Sequence, residues 1–143
     1  MARLVAAYFI GLIAVFVCLG VGQSISLEVY PPPEVIEPGD TEAWAAYLAS
    51  APTGAILGIL FSYVLAAFFG PALATAIGRK KQIGLFVGWT IFIFGLLTLF
   101  KTTHPTWFAI TSTVVILPTS AAGCRWSTAL REKRQQEASS RED

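Results

Sequence analysis

Charged residues are scarce in this chain: Asp, Glu, Lys and Arg make up 13% of its 143 residues, against about 25% in ordinary soluble domains. Hydrophobic residues account for 55%. A small soluble domain buries only about two-thirds of the surface that its unfolded chain exposes, so water could not solvate a fold this apolar. The composition therefore excludes an ordinary soluble domain and predicts an integral membrane protein.

Residues that carry acid–base or metal chemistry are also few. One His and two Cys cannot assemble an ordinary zinc site or a bis-histidine haem site within one chain. The four apolar runs described next contain no Asp, Glu, Lys, Arg or His. Ionisable groups inside a membrane usually mark proton relays, ion paths or counter-ions. Their absence argues against a proton-coupled transporter and a buried acid–base enzyme, so we predict no catalytic, cofactor-binding or metal-binding residues.

Four apolar runs are each long enough to cross a bilayer. They cover about residues 4–25, 52–77, 82–100 and 105–124. We predict an all-α fold, an integral membrane four-helix bundle in one domain of residues 1–124, followed by a charged tail, 125–143, that continues the last helix. The first run could instead be a secretory signal peptide, but its apolar core of about 18 residues exceeds the usual 7–15. We therefore expect it to be retained as a span.

The segment between the first two runs has a different character. Residues 26–43 contain three consecutive prolines and five carboxylates, with no Lys or Arg. Consecutive prolines favour polyproline II, which predicts an extended acidic outer loop. Asp40 or Thr41 can then cap a short helix, in which Trp44 and Tyr47 share a face suited to the membrane interface. An early start of the second span remains an equally open alternative.

The basic residues indicate an orientation. If the N-terminus is cytoplasmic, nine of the ten Lys and Arg residues fall on cytoplasmic segments and only Lys101 falls outside. The positive-inside rule then predicts that both termini are cytoplasmic. Because the basic residues lie beside the spans and not on a groove-sized face, we expect no nucleic-acid partner.

The second run carries a small residue at every fourth position along its whole length. Such rows let helix backbones approach closely, which drives helix association in lipid. We expect this row to face another helix, within the bundle or across a subunit boundary. The predicted helix-packing residues are Gly54, Gly58, Ser62, Ala66, Gly70, Ala74 and Gly78, with Gly84 and Gly88 repeating the pattern in the third run.

Aromatic residues cluster near the ends of the runs, where their rings favour the headgroup depth. The densest string is His104-Pro105-Thr106-Trp107-Phe108. We interpret it as an anchor for the start of the fourth helix, with ligand contact or a pH response of His104 as the alternative. The predicted interfacial anchors are Trp44, Tyr47, His104, Trp107, Phe108 and Trp126.

Four features together resemble a group of small, uncharacterised bacterial four-span membrane proteins. These are the proline-bearing acidic loop, the Leu48-Ala49-Ser50-Ala51-Pro52 segment, the Gly/Ala-rich second run with its basic turn, and the His-Pro-Thr-Trp-Phe string. The resemblance covers about residues 28–124 and implies the four-span topology and a location in a bacterial inner (cytoplasmic) membrane. The group carries no established activity, cofactor or catalytic residue, and the long tail after Arg125 departs from its pattern.

Three classes of function are compatible with these patterns. The favoured one is a non-enzymatic accessory or self-associating membrane component, whose partners are the lipid bilayer and a second copy or another membrane protein. The alternative is a small channel or carrier for a neutral or apolar solute, lined by Ser62, Thr90, Thr98, Thr111 and Ser112. The third is an enzyme at the outer interface that uses His104 with Glu34, Glu37 and Asp40 of the acidic loop.

Overall fold

The computed structural model describes residues 1–32, 36–37, 39–101 and 106–141, and it is entirely helical apart from the connections. The helices are α1 (Ala2–Val29), α2 (Thr41–Ser50), α3 (Thr53–Gly78), α4 (Lys81–Lys101) and α5 (Thr106–Ser139). Four of them, α1, α3, α4 and α5, are long and apolar enough to cross a bilayer. The prediction of an all-α, four-span membrane protein is confirmed.

The first helix is longer than the sequence indicated. It continues to Val29, so the expectation that the extended acidic loop begins at residue 26 is wrong for residues 26–29, which are helical. Ser26 is buried, and its hydroxyl donates to the carbonyl of Ala55 at 3.1 Å. Because α3 satisfies this polar side chain, the helix extends beyond the apolar run that defined it. Glu34 lies outside the described residues.

The short helix α2 is separate from α3. The N–H of Ala43 donates to the Asp40 carboxylate at 2.9 Å, which caps the helix as predicted. Ala51 and Pro52 are then extended, because a residue before proline disfavours the helical region. The alternative of an early start of the second span is therefore wrong. The location of α2 at a membrane interface stays a prediction.

Helix α3 is the centre of the bundle, and it contacts α1, α4 and α5. Small side chains on α3 meet larger ones from its neighbours in a buried cluster. Its members are Val15, Ala66, Ala67, Ala74, Val87, Ile91 and Ile116. Many large apolar side chains point away from this core, among them Phe16, Phe61, Phe94 and Val114. An exterior this apolar is suited to lipid.

Helix α5 extends well past the predicted end of its span at residue 124. It runs without interruption through Pro118 to Ser139, so the described start of the charged tail is helical. Fifteen residues of helix after Cys124 span about 22 Å. This extension carries Trp126 and several arginines beside the end of α3.

Candidate functional site

The small-residue row of α3 faces α1 inside the same chain. A Cβ added at Gly70 would overlap the side chain of Val15 and lie 3.1 Å from the carbonyl oxygen of Gly11. A Cβ at Gly11 would lie 2.8 Å from Cβ of Ala74. Real Cβ contacts are not this short, so a side chain larger than hydrogen would force the two backbones apart.

The same contact continues along both helices. A Cβ at Gly78 would lie 3.3 Å from Cβ of Ala7, and one at Gly58 would lie 2.9 Å from Oγ of Ser26. Further pairs in contact are Gly22 with Ser62 and Tyr30 with Gly54. Ser62, Ala66 and Ala74 are almost completely buried. We call this antiparallel contact the α1–α3 seam; it places the whole predicted row of the second run against one neighbouring helix.

The partner row on α1 was missed from the sequence. It consists of Ala7, Gly11, Gly22 and Ser26, with Val15 and Leu19 between its halves. A signal was available, because small residues recur at four-residue spacing in each half. The two larger residues in the middle concealed the continuity, and only the close approach of α3 shows that both halves belong to one surface.

Gly84 and Gly88 of α4 lie against both α3 and α5. A Cβ at Gly84 would overlap the carbonyl of Pro71 and lie 2.6 Å from Sγ of Cys124, and one at Gly88 would lie 2.7 Å from Cβ of Ser120. The Cys124 thiol also donates weakly to the Pro71 carbonyl at 3.8 Å. The small residues of α5 at this junction were not singled out from the sequence.

The hydroxyl groups proposed for a solute path bond mostly within their own helices. The hydroxyls of Ser62, Thr98 and Thr111 each donate to a carbonyl one turn back on their own helix. Thr90 does the same and also meets the hydroxyl of Tyr8 at 2.9 Å. Thr98 and Ser112 line a cavity of about 10 Å³, no larger than the space one water molecule needs. Ser62 lines a separate, mostly apolar groove of about 450 Å³ between α1 and α3, and Thr98 also lines one of about 270 Å³ beside α2.

The predicted interfacial anchors divide into exposed and buried residues. Trp107 and Trp126 have exposed rings, as anchors require, whereas Trp44 is half-buried. Phe108 is only 1% exposed and packs edge-on against Tyr63, so its assignment as an interfacial anchor is wrong. Packing between α3 and α5 takes this ring into the core. His104 lies outside the described residues.

Tyr47 is also not an exposed anchor. It is 8% exposed, and its hydroxyl donates to the carbonyl of Tyr30 at 2.7 Å. This bond satisfies a carbonyl at the C-terminal end of α1, where helices leave such groups unpaired. Tyr47 therefore fastens α2 to the end of α1, and its assignment as a lipid-facing anchor is wrong.

Two grooves open at opposite ends of the bundle. The aromatic groove, about 270 Å³, lies between α2 and the ends of the spans and is lined by Trp44, Tyr47 and Tyr63. The basic groove, about 500 Å³, lies between α3 and the extension of α5 and is lined by Arg79, Arg131, Arg134, Trp126 and apolar side chains. Among the described residues, no group of three or more His, Cys, Asp or Glu side chains could hold a metal ion.

Comparisons with protein-family models, with curated proteins and with solved structures yield no match to this chain. The resemblance to small four-span bacterial proteins therefore stays a prediction.

Proposed function

We propose that this polytopic membrane protein is a non-enzymatic accessory component, a helical bundle that acts through its outer surfaces. The observation that carries the proposal is the close packing of its interior. The α1–α3 seam admits no Cβ at Gly11 or Gly70. Most core hydroxyls bond to nearby backbone or to each other, and among the described residues the buried exception is Oγ1 of Thr75. An interior of this kind favours packing over chemistry or conduction.

The α1–α3 seam also bears on the choice between an accessory and a self-associating component. Small-residue rows promote association when they are free to meet another helix. Here α1 covers Ser62 and Gly70, whereas Gly54 and Gly58 are half-buried and line an open groove of about 450 Å³ beside α1. The buried part of the row is therefore closed to a second copy, which favours an accessory component whose basic unit is one chain.

The proposed location is a bacterial inner membrane, with both termini and the basic groove on the cytoplasmic side. The nine-to-one distribution of Lys and Arg supports this orientation. The packing also groups the basic residues. The guanidinium of Arg3 donates from Nε to the carbonyl of Ile77 at 2.8 Å, which places the start of α1 beside the basic turn that follows α3.

A flux assay on the pure protein tests the proposal against the carrier alternative. Proteoliposomes are exposed to an osmotic gradient of glycerol or urea, and shrinkage is followed by light scattering. We expect rates equal to those of protein-free vesicles, and equal rates for Ser112→Leu, which fills the small cavity beside Thr98. Flux that increases with the protein-to-lipid ratio and falls in Ser112→Leu would establish a carrier instead.

The mass of the protein in a bilayer nanodisc tests whether the basic unit is one chain, as the accessory proposal requires. We expect one chain per disc at every ratio of protein to disc below saturation. A dimer that persists at high dilution would replace the accessory component with a self-associating one, and its interface would have to lie outside the buried part of the α1–α3 seam.

A further inference from the structure

The basic groove combines charge at one end with apolar surface along its length. Arg79 follows the last residue of α3, and Arg131 and Arg134 lie one turn apart on the extension of α5. These three side chains line the same groove of about 500 Å³, a volume in the range of small-molecule sites. The groove has no Asp or Glu among its lining residues.

The apolar part of the groove extends toward the middle of the bundle. Its walls are Phe69 and Leu73 on α3 and Trp126 and Leu130 on α5, each of them partly exposed. Ten residues of helix separate Phe69 from Arg79, which corresponds to about 15 Å. A molecule that fills this groove must be apolar over roughly that length and anionic at one end.

The three arginines are free to bind such a group. Among the described residues, no carboxylate lies within 4.0 Å of their guanidinium nitrogens, so none is committed to an ion pair. Guanidinium groups present paired N–H donors that match the geometry of phosphate oxygens. Basic pockets between membrane helices are a recurring means of holding anionic lipid headgroups.

The backbone of Arg79 provides a second, independent observation. Its φ of 57° lies in the left-handed region, and it is the one non-glycine residue with positive φ among those described. Its N–H donates to the carbonyl of Thr75 at 2.9 Å, so it occupies the helix-ending position where glycine is usual. A long cationic residue held in this strained conformation indicates that the side chain is needed there.

We propose that the basic groove binds one anionic phospholipid. The phosphate lies among Arg79, Arg131 and Arg134, and an acyl chain lies along Phe69 and Leu73 opposite Trp126. The inference does not depend on the accessory function, because a carrier with the same groove would hold the same lipid.

Trp126 provides a local reporter for the test. In a variant with Trp44→Phe, Trp89→Phe and Trp107→Phe, Trp126 is the only tryptophan left, and excitation at the red edge of its absorption band avoids the tyrosines. The protein is reconstituted in vesicles that contain phosphatidylglycerol or phosphatidylcholine, brominated close to the glycerol backbone, and quenching is measured as the brominated fraction rises. We expect a binding constant for phosphatidylglycerol roughly tenfold above that for phosphatidylcholine. Each nearby cation contributes about fivefold at most, so three arginines acting below that limit are sufficient.

Matched variants distinguish binding of the lipid in the groove from general attraction of anionic lipid to a basic surface. Arg131→Gln and Arg134→Gln should each lower the preference for phosphatidylglycerol about two- to fivefold. Lys133→Gln removes the same charge from the same turn of α5 but lies outside the groove, and we expect a change below about twofold. A chain that retains only Trp107, at the other end of α5, should show no preference.

Several outcomes would overturn the proposal. They are equal quenching of Trp126 by the two lipids, an equal loss in Lys133→Gln, and an equal preference at Trp107. Inorganic phosphate added at constant ionic strength should leave the quenching unchanged, and competition by phosphate would assign the groove to a soluble anion. If the glutamine variants fail to fold, as judged by circular dichroism, the comparison of Trp126 with Trp107 in otherwise native chains decides the question.

Discussion

A single added methyl group tests how tightly α1 and α3 pack. In Gly11→Ala the new Cβ would lie 2.8 Å from Cβ of Ala74, 3.0 Å from the carbonyl oxygen of Gly70 and 3.2 Å from a methyl of Val87. The carbonyl belongs to the backbone and cannot rotate away, so α1 must shift. Gly20→Ala is the matched control on the same helix, because a Cβ at Gly20 would meet nothing within 4 Å.

The expected magnitude follows from two opposing contributions. Alanine is favoured over glycine inside a helix by about 1 kcal/mol, and this gain applies to both variants. Overpacking of a close contact costs about 1–3 kcal/mol and applies only to Gly11→Ala. The common gain cancels in the difference, so Gly11→Ala should be less stable than Gly20→Ala by about 1–3 kcal/mol.

Reversible unfolding by sodium dodecyl sulfate in mixed micelles, followed by far-ultraviolet circular dichroism, measures this difference. A companion variant strengthens the test. Ala74→Gly loses helix propensity in any background, but with Gly11→Ala it also removes one of the two colliding methyl groups, so it should cost less there than in the native chain. A difference between Gly11→Ala and Gly20→Ala below about 0.5 kcal/mol, the usual effect of a neutral substitution, would refute the close approach of the two helices.

Three further predictions concern the ends of the bundle. Arg79→Gly relieves a left-handed backbone, so the free energy of unfolding in mixed micelles should stay constant or rise by up to about 1 kcal/mol; a fall of that size would contradict the strain. Tyr47→Phe removes the bond to the Tyr30 carbonyl and should cost about 1 kcal/mol, visible as faster amide exchange in α2 but not in the core of α3. Topology is tested with a cysteine introduced at Glu37 or at Ser139 in a chain without native cysteines. On intact cells an impermeant maleimide should label the cysteine at Glu37 and not the one at Ser139, and labelling of Ser139 alone would invert the orientation.

The sequence was most informative about the lipid environment of the chain and least informative about which helices contact each other within the bundle. Uninterrupted apolar runs of this length form α-helices in lipid, since a spanning backbone must satisfy its hydrogen bonds internally. The existence of four span-forming helices could therefore be predicted from composition and length. The row from Gly54 to Gly78 could also be recognised, but its spacing alone could not distinguish a neighbouring helix from a second subunit.

Buried aromatic residues show why individual side chains were harder to assign. Trp107 and Phe108 are adjacent in sequence and have the same preference for a membrane interface. One step along a helix turns the side chain by about 100°, so Trp107 faces outward while Phe108 enters the core against Tyr63. The direction of each ring depends on the position of Tyr63 on α3, which lies more than forty residues earlier in the chain.

The sequence by itself determined that this is a four-span helical membrane protein with an interior poor in ionisable groups, because apolar length and charge placement are local properties of the chain. Tertiary structure decided which helix covers the small-residue row and how the start of α1 reaches the end of α3. It also decided that Arg79 shares a groove with Arg131 and Arg134, more than fifty residues later. These features depend on the rotation and crossing of packed helices, which close contacts between distant residues fix and which no local pattern specifies.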